Sequence, residues 1–334
     1  MAKNVKPKDY LHTSARVRAM EHGLLSRGQM DRMVKAQTPM EAARILTECG
    51  YPEFPAVTPE AIDLAVKQER EKTYGLLGNL SPDPAIIDVF RLKYDYHNVK
   101  VLLKASVMQE DAARLLLDLG RVPARKLADG ILQSDLRDMP PILQAAIREA
   151  RETLRTTGDP QLADFILDRA YFEDMSDLAA HCNSDFLKGY VRLSLDSSNL
   201  RSAVRALRMG KTPDFLRNIL FPGGGVDRTR IAGAVSTGGA LDVLFAASPL
   251  KTAAEEGVAA IKEDRPLTRF EKLCDDAVSR YLQSAKYNSI SEAPLICYLG
   301  AKETEFTAVR IIMTGLLSGL APDVLEERLR DVYV

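Results

Sequence analysis

Apolar residues recur along this chain at the spacing of amphipathic helices and almost nowhere alternate as they do in strands. Thr58-Pro59-Glu60 places a capping hydroxyl before a proline and an acid, which predicts a helix that begins there. That helix is expected to run to about Leu77, with Gly78-Asn79 as its stop signal. Ser81-Pro82-Asp83 predicts the start of the next helix.

A capping box is predicted at Thr268-x-x-Glu271, which would begin a helix with Phe270 on its apolar face. Four further segments have the same helical periodicity: Leu143–Thr156, Leu162–Cys182, Ser197–Met209 and Asp323–Val332. Since no Val/Ile/Thr-rich alternating segments accompany them, the predicted fold class is all-α.

Composition and charge narrow the class of protein further. With 334 residues, 46% of them hydrophobic, the chain can bury a sizeable core. Lys+Arg 45 against Asp+Glu 46 gives a net charge of -1, which argues against a surface built mainly for nucleic acid. The four cysteines are far apart and include no C-x-x-C pair, so neither a disulfide framework nor a structural zinc site is expected, and a reducing cytoplasm is the natural compartment.

No segment is expected to span a membrane. The least charged stretches are Ile231–Pro249, interrupted by Asp242 and three glycines, and Ile311–Pro322, which is too short. Any association with a membrane is therefore expected to be peripheral and mediated by a partner.

A weak internal repeat is the most informative feature of the chain. The pattern R-L-x-x-D-x-x-N-[VL]-[KR]-x-x-[LV]-[KR]-A starts at Arg91 and again 101 positions later at Arg192. A degenerate third copy has Glu305 as the acid, Ala308 in place of the asparagine and Arg310 as the first basic residue.

The polar positions of the pattern predict a structural role. Arg91/Asp95 and Arg192/Asp196 are i,i+4 pairs, and Asn98 and Asn199 follow each acid on the same helix face. An acid and an amide so placed can satisfy backbone groups at the end of a neighbouring helix, and Glu305 is expected to do so in the third copy. Contact with a ligand is the alternative interpretation.

The same segments carry basic stripes. Lys100 and Lys104 in the first copy, and Arg201 and Arg205 in the second, are candidates for binding an acidic partner. The simpler interpretation is a solvated helix face.

A G-x-x-P sequence follows each copy: Gly120–Pro123, Gly210–Pro213 and Gly319–Pro322. It lies 22 residues after the asparagine in the first copy and 11 after the corresponding position in the other two, which predicts an insertion in the first copy. Gly223–Gly225 is interpreted as a flexible connection between helices, since it lacks both the Gly-Lys-Ser/Thr ending of a phosphate loop and a preceding strand.

These residues resemble a known family. The segment Tyr94–Ala105 is similar to the signature helix of the C subunit of V-type and A-type ATPases, the counterpart of the d subunit of the eukaryotic V-ATPase. Tyr10–Leu25 and the C-terminal region from Tyr298 through Pro322 also resemble that family, so the likeness covers nearly the whole chain. The departures are Ala308 and the glycine-rich segment.

The resemblance implies three similar helical domains around a pseudo-threefold axis, expected at residues 1–118, 119–216 and 217–334, which form a funnel. It implies a non-catalytic rotor subunit without a cofactor, peripheral on the cytoplasmic face of the membrane, that joins the central stalk subunits to the membrane rotor ring of proteolipid subunits. The alternative is a helical enzyme or scaffold with a ligand in a central polar cavity. The four histidines have no metal-binding spacing, and no catalytic motif is recognisable.

Overall fold

The computed structural model describes residues 5–108, 112–236, 240–288 and 290–333. Sixteen α-helices, two 3-10 helices (Pro7–Tyr10 and Ala113–Leu115) and no strand occur within these ranges, which confirms the all-α prediction. None of these helices is long and apolar enough to cross a membrane.

The first eight α-helices occupy the N-terminal half of the chain: α1 (Leu11–Glu21), α2 (Arg27–Val34), α3 (Pro39–Glu48), α4 (Pro59–Leu80), α5 (Pro84–Met108), α6 (Ala124–Gln133), α7 (Pro141–Thr157) and α8 (Pro160–His181). The remaining eight follow in the C-terminal half: α9 (Asp185–Arg208), α10 (Pro213–Ile219), α11 (Arg228–Ser236), α12 (Leu241–Leu244), α13 (Lys251–Lys262), α14 (Thr268–Gln283), α15 (Ala293–Leu317) and α16 (Pro322–Arg328).

Local capping explains where several helices begin. The Thr58 hydroxyl accepts the N–H of Ala61 at 3.2 Å and starts α4, as predicted. Asp83 accepts the N–H of Ala85 at 3.1 Å at the start of α5. Gly78-Asn79 does not stop α4, contrary to the prediction; the helix continues to Leu80 and ends before Ser81, whose extended backbone suits the residue preceding a proline.

Two other local predictions are wrong. Thr268 is the first residue of α14 and makes no capping hydrogen bond within the described chain, because Leu267 occupies the cap position; Glu271 instead binds arginines of α9. The last helix, predicted to run to Val332, ends at Arg328. The N–H of Asp331, in the tail that follows, donates to Asp276 at 2.8 Å.

The chain divides into two compact units. The first consists of Asp83–Val191, in which α8 packs on both α5 and α7, and Phe90 stacks on Tyr190 at 5.3 Å between ring centroids. The second consists of Val5–Pro82 and residues 192–333.

The second unit has two hydrophobic cores. One joins α2 and α3 to α15 and α16, with fully buried Met33, Leu46 and Phe306. The other is formed by α9 through α14 and contains Val204 and Phe270. The domain boundaries expected at residues 118 and 216 stay a prediction.

Candidate functional site

The acid and the amide of the first repeat copy lie on α5 and hold the loop that leads into α6. Asn98 accepts the backbone N–H of Leu117 at 2.9 Å through Oδ1 and donates to the Leu117 carbonyl at 2.8 Å through Nδ2. Asp95 accepts the backbone N–H groups of Arg121 and Val122 at 3.2 and 3.1 Å. We call such a helix position, with the loop that it binds, a latch.

The second copy makes the same contacts on α9. Asn199 accepts the N–H of Phe221 and donates to its carbonyl, both at 2.8 Å. Asp196 accepts the N–H groups of Gly225 and Val226 at 3.0 and 3.1 Å. In both latches the acid binds the fourth and fifth residues after the one held by the amide, so the two loops present their N–H groups at the same spacing.

A glycine in each loop permits the close approach of the acid. A Cβ at Gly120 would overlap the carboxylate of Asp95, and a Cβ at Gly224 would overlap that of Asp196. Gly120 and Gly224 are therefore equivalent positions at which only glycine fits without displacement of the acid.

This equivalence corrects the alignment based on G-x-x-P. Gly210 and Gly319 have left-handed backbones, with φ of 63° and 68°, two residues after the last residues of α9 and α15, where they terminate those helices. The loop residue held by the amide lies 19 positions after Asn98 and 22 after Asn199, so the longer connection is in the second copy and the predicted insertion in the first is wrong. Gly223–Gly225 belongs to the second latch.

The third latch is made from opposite ends of the chain. Glu305 on α15 accepts the N–H of Leu25 at 2.8 Å and the hydroxyl proton of Tyr51 at 2.8 Å. Leu25 directly precedes Ser26, the N-cap of α2, just as Val122 precedes the N-cap of α6. Ala308, at the amide position, is buried and adds no polar contact.

The partner of Glu305 therefore precedes its helix in sequence. The loop held by Glu305 is not the Gly319-x-x-Pro322 segment that follows the third copy downstream of α15. The loop before α2 replaces it. The third latch thus has the helix and loop of the other two in reverse chain order.

A buried ionic network supports the first latch. Nε of Arg121 donates to Asp95 at 3.2 Å, and Nη2 of the same guanidinium donates to Asp174 at 2.5 Å. The hydroxyl of Tyr96 also donates to Asp174, at 3.2 Å. Burial raises the pKa of Asp95 and of Asp174, against the lowering effect of Arg121 and of the N–H donors.

A similar network supports the third latch. Lys302, with only 3% of its surface exposed, donates to Glu305 at 2.7 Å and to Glu69 at 3.1 Å. Burial alone would lower the pKa of Lys302, but the two carboxylates outweigh it and the pKa is raised. The ammonium therefore stays charged inside the protein.

Of the two arginines that begin the repeat pattern, Arg91 pairs with another acid than predicted, whereas the charge of Arg192 acts on the predicted one. Nη1 of Arg91 lies 3.7 Å from Asp88, one turn before the latch, and the cation bound to Asp95 is Arg121. In the second copy the charge of Arg192 lowers the pKa of Asp196, although burial raises that pKa overall.

The four candidate partner-binding residues all form ion pairs across helices. In the first unit, Lys100 lies 2.6 Å from Asp168 and Lys104 lies 2.7 Å from Asp164, both on α8.

The second unit repeats this arrangement between α9 and α14. Arg201 forms ion pairs with Asp275 and, at 2.9 Å, with Glu271; Arg205 lies 2.7 Å from Glu271. The basic residues of the first copy therefore connect α5 to α8, and those of the second copy connect α9 to α14.

Sequence reasoning missed the acidic side of these pairs. Asp164 and Asp168 are four residues apart on α8, as Glu271 and Asp275 are on α14. Both sets lie 107 positions apart, so a search of the chain against itself for acids at this spacing would have found them. Lys302, one turn before Glu305, carried no comparable signal.

Two surface clefts lie outside the latches. A cleft of about 430 Å³ lies between α2 and α3, and one of about 340 Å³ adjoins α6; charged side chains line both. In the former, Arg32 faces Glu48 at 3.7 Å. Over the described ranges, no group of three or more His, Cys, Asp or Glu residues could hold a metal ion.

The matches with known proteins cover all three latches. The family model described as ATP synthase (C/AC39) subunit matches residues 13–328. The C subunit of the V-type sodium ATPase of Enterococcus hirae is 24% identical over 97% of this chain and 99% of its own length. The C subunit of the A-type ATP synthase of Thermococcus kodakarensis is 24% identical over 97% and 91%, and that of the V-type ATP synthase of a Thermus thermophilus strain is 24% identical over 96% and 98%.

Proposed function

Because this chain belongs to the ATP synthase (C/AC39) subunit family, we propose that it is a non-catalytic rotor subunit of a V-type or A-type rotary ATPase. In this proposal it couples the central stalk to the membrane ion-translocating ring and transmits torque between them. It lies on the cytoplasmic face of the membrane and is held there by the other subunits. The three-domain funnel stays a prediction.

The observation that carries this proposal is the extent of the match. The family model covers residues 13–328, and the three relatives, all named as C subunits, are matched over 91% to 99% of their own length. The likeness therefore extends over nearly the full length of each relative and is not confined to one module.

The latches provide what torque transmission requires of such a part. A helix that carries a load must not slide along its neighbours, and the latches bind each long helix to a loop by buried hydrogen bonds. Buried polar contacts of this kind lose their energy when the register shifts, since the groups are then left unsatisfied. This rigidity supports a mechanical role.

Co-purification tests the proposal directly. An affinity-tagged copy of this chain, produced in cells that contain the catalytic, stalk and ring subunits, is expected to recover all of them from detergent-solubilised membranes. Purified alone, it is expected to have no ATPase activity. With the tag moved to a catalytic subunit, recovery of the ring subunits in equal amounts from cells with and without this chain would overturn the role as a connector.

The basic residues offer a sharper test of stalk binding. Lys100→Asp breaks the ion pair with Asp168, and the double variant Lys100→Asp/Asp168→Lys restores a pair with the charges exchanged. If Lys100 binds the stalk, stalk affinity falls at least about tenfold in both variants, whereas stability recovers in the double variant. Unchanged affinity in the double variant would show that Lys100 serves only to join α5 to α8.

A further inference from the structure

The three latches are unequal in their electrostatic support. The first and third each join the acid to a cation and then to a second carboxylate: partly buried Arg121 with Asp174, and buried Lys302 with Glu69. In the second latch the nearby cation is Arg192 on α9, whose charge acts on Asp196, but over the described residues no cation donates a hydrogen bond to Asp196 or joins it to a second carboxylate.

The difference arises at one position. Arg121 and Gly225 occupy the same place in their loops, directly before the valine, and each donates its backbone N–H to the latch aspartate. Arg121 adds a guanidinium that binds Asp95 and Asp174, whereas Gly225 has no side chain. Throughout the described chain, the hydrogen bonds of Asp196 are those from Gly225 and Val226.

The second loop also gains more freedom when it opens. Gly223, Gly224 and Gly225 are consecutive, and Gly223 has a φ of 95°, in the left-handed region. Glycine has more accessible backbone conformations in an open state than any other residue, so opening gains more entropy here. The first loop, from Leu117 to Val122, contains a single glycine, Gly120.

From these two differences we propose that the second latch is the element of the fold that opens first. In the open form the loop of residues 221–226 leaves Asp196, while the first and third latches stay closed. This conformational property goes beyond the proposed function and does not depend on it.

Hydrogen exchange of the full-length chain tests the proposal. Val122 and Val226 are a matched pair, because both are valines whose N–H is held by the latch aspartate at 3.1 Å. Corrected for intrinsic exchange, the protection factor of the Val226 amide is expected to be at least about tenfold lower than that of Val122. Equal or greater protection at Val226 would overturn the proposal.

A variant tests the ionic cause. Arg121→Gly makes the first loop resemble the second at this position, and the protection factor of Val122 is expected to fall to within about threefold of that of Val226. If this variant does not fold, Arg121→Lys keeps the charge but loses the two-sided guanidinium contact, and protection at Val122 is expected to fall by a smaller factor. No change at Val122 in the folded variant would refute the ionic explanation.

Discussion

The carboxylate of Glu305 accepts the backbone N–H of Leu25 at 2.8 Å, although the two residues are 280 positions apart in the chain. Through this bond the last long helix holds the loop that leads into α2. The same carboxylate accepts a hydrogen bond from the ammonium group of Lys302 at 2.7 Å. One buried side chain therefore both holds the loop backbone and compensates a buried positive charge.

Neutralising Glu305 should destabilise the protein strongly. Glu305→Gln keeps an acceptor for Leu25 but weakens the compensation of the buried Lys302 ammonium, and the free energy of unfolding is expected to fall by about 3–5 kcal/mol. Urea unfolding measures this change. Lys302→Met, added to Glu305→Gln, should recover part of the loss; Glu327→Gln, on the exposed surface, is the control and should change stability by less than about 0.5 kcal/mol.

Removing either latch amide should destabilise the protein, and more so in the second copy, where the backbone groups that it holds are fully buried. Asn98→Ala leaves the N–H and carbonyl of Leu117 without their partner, and Asn199→Ala does the same to Phe221. Asn199→Ala is expected to lower the free energy of unfolding by about 2–4 kcal/mol, since the buried groups of Phe221 keep their full desolvation cost. Asn98→Ala should lower it by about 1–3 kcal/mol, because the groups of Leu117 are only partly buried. Thermal and urea unfolding of both variants check this; a loss below about 0.5 kcal/mol in either would contradict a latch role for that residue.

Adding one methyl group at the latch glycines should be costly. Gly120→Ala and Gly224→Ala force the aspartate carboxylate away from its N–H donors, and each is expected to cost about 2 kcal/mol or more. The matched control is Gly75→Ala at an exposed position in the C-terminal third of α4, where a Cβ meets nothing within 4 Å. That change should stabilise the protein by about 0.5–1 kcal/mol, because alanine favours the helix.

Stability should depend on pH through Asp196. Burial raises the pKa of its carboxyl in the folded protein, whereas the unfolded chain has a pKa of about 3.9. The folded state therefore binds the proton more tightly, and the stabilising effect of protonation is lost as pH rises through the window above about pH 4. Asp196→Asn removes this titration.

Urea titrations of wild type and Asp196→Asn between about pH 4 and pH 8 measure the effect. Relative to the variant, wild type is expected to lose stability as the pH rises and then to level off above the folded pKa. A difference between the two proteins that is constant over the whole range would show that Asp196 has the same pKa in both states.

The sequence identified the helix side of the latches but not their loop side. The same i,i+3 spacing of acid and amide occurs in both copies, at Asp95 and Asn98 and at Asp196 and Asn199. A comparison of the chain with itself therefore detects it. The loops are held through their backbone N–H groups, and such contacts place little constraint on which side chains the loop residues have. Arg121 and Gly225 hold equivalent positions, although one has a long charged side chain and the other has none.

Proline was a misleading marker for the loops. Pro123, Asp227 and Ser26 all stand immediately before a short helix, because proline, aspartate and serine can each begin one. Aligning the prolines alone paired Gly120 with Gly210, which ends α9, and missed Gly224. The third loop was beyond the reach of any downstream search, since it precedes its helix by most of the chain.

The reversed order of the third latch has a consequence for synthesis on the ribosome. Met33 and Leu46 emerge early, but Phe306, against which their core is built, is made near the end. At about 5–20 residues per second, this face waits on the order of ten seconds or longer for its partner. We expect a chain that stops before α15 to expose that face to proteases, whereas the first unit, contiguous in sequence, can complete its core while the rest is still being translated.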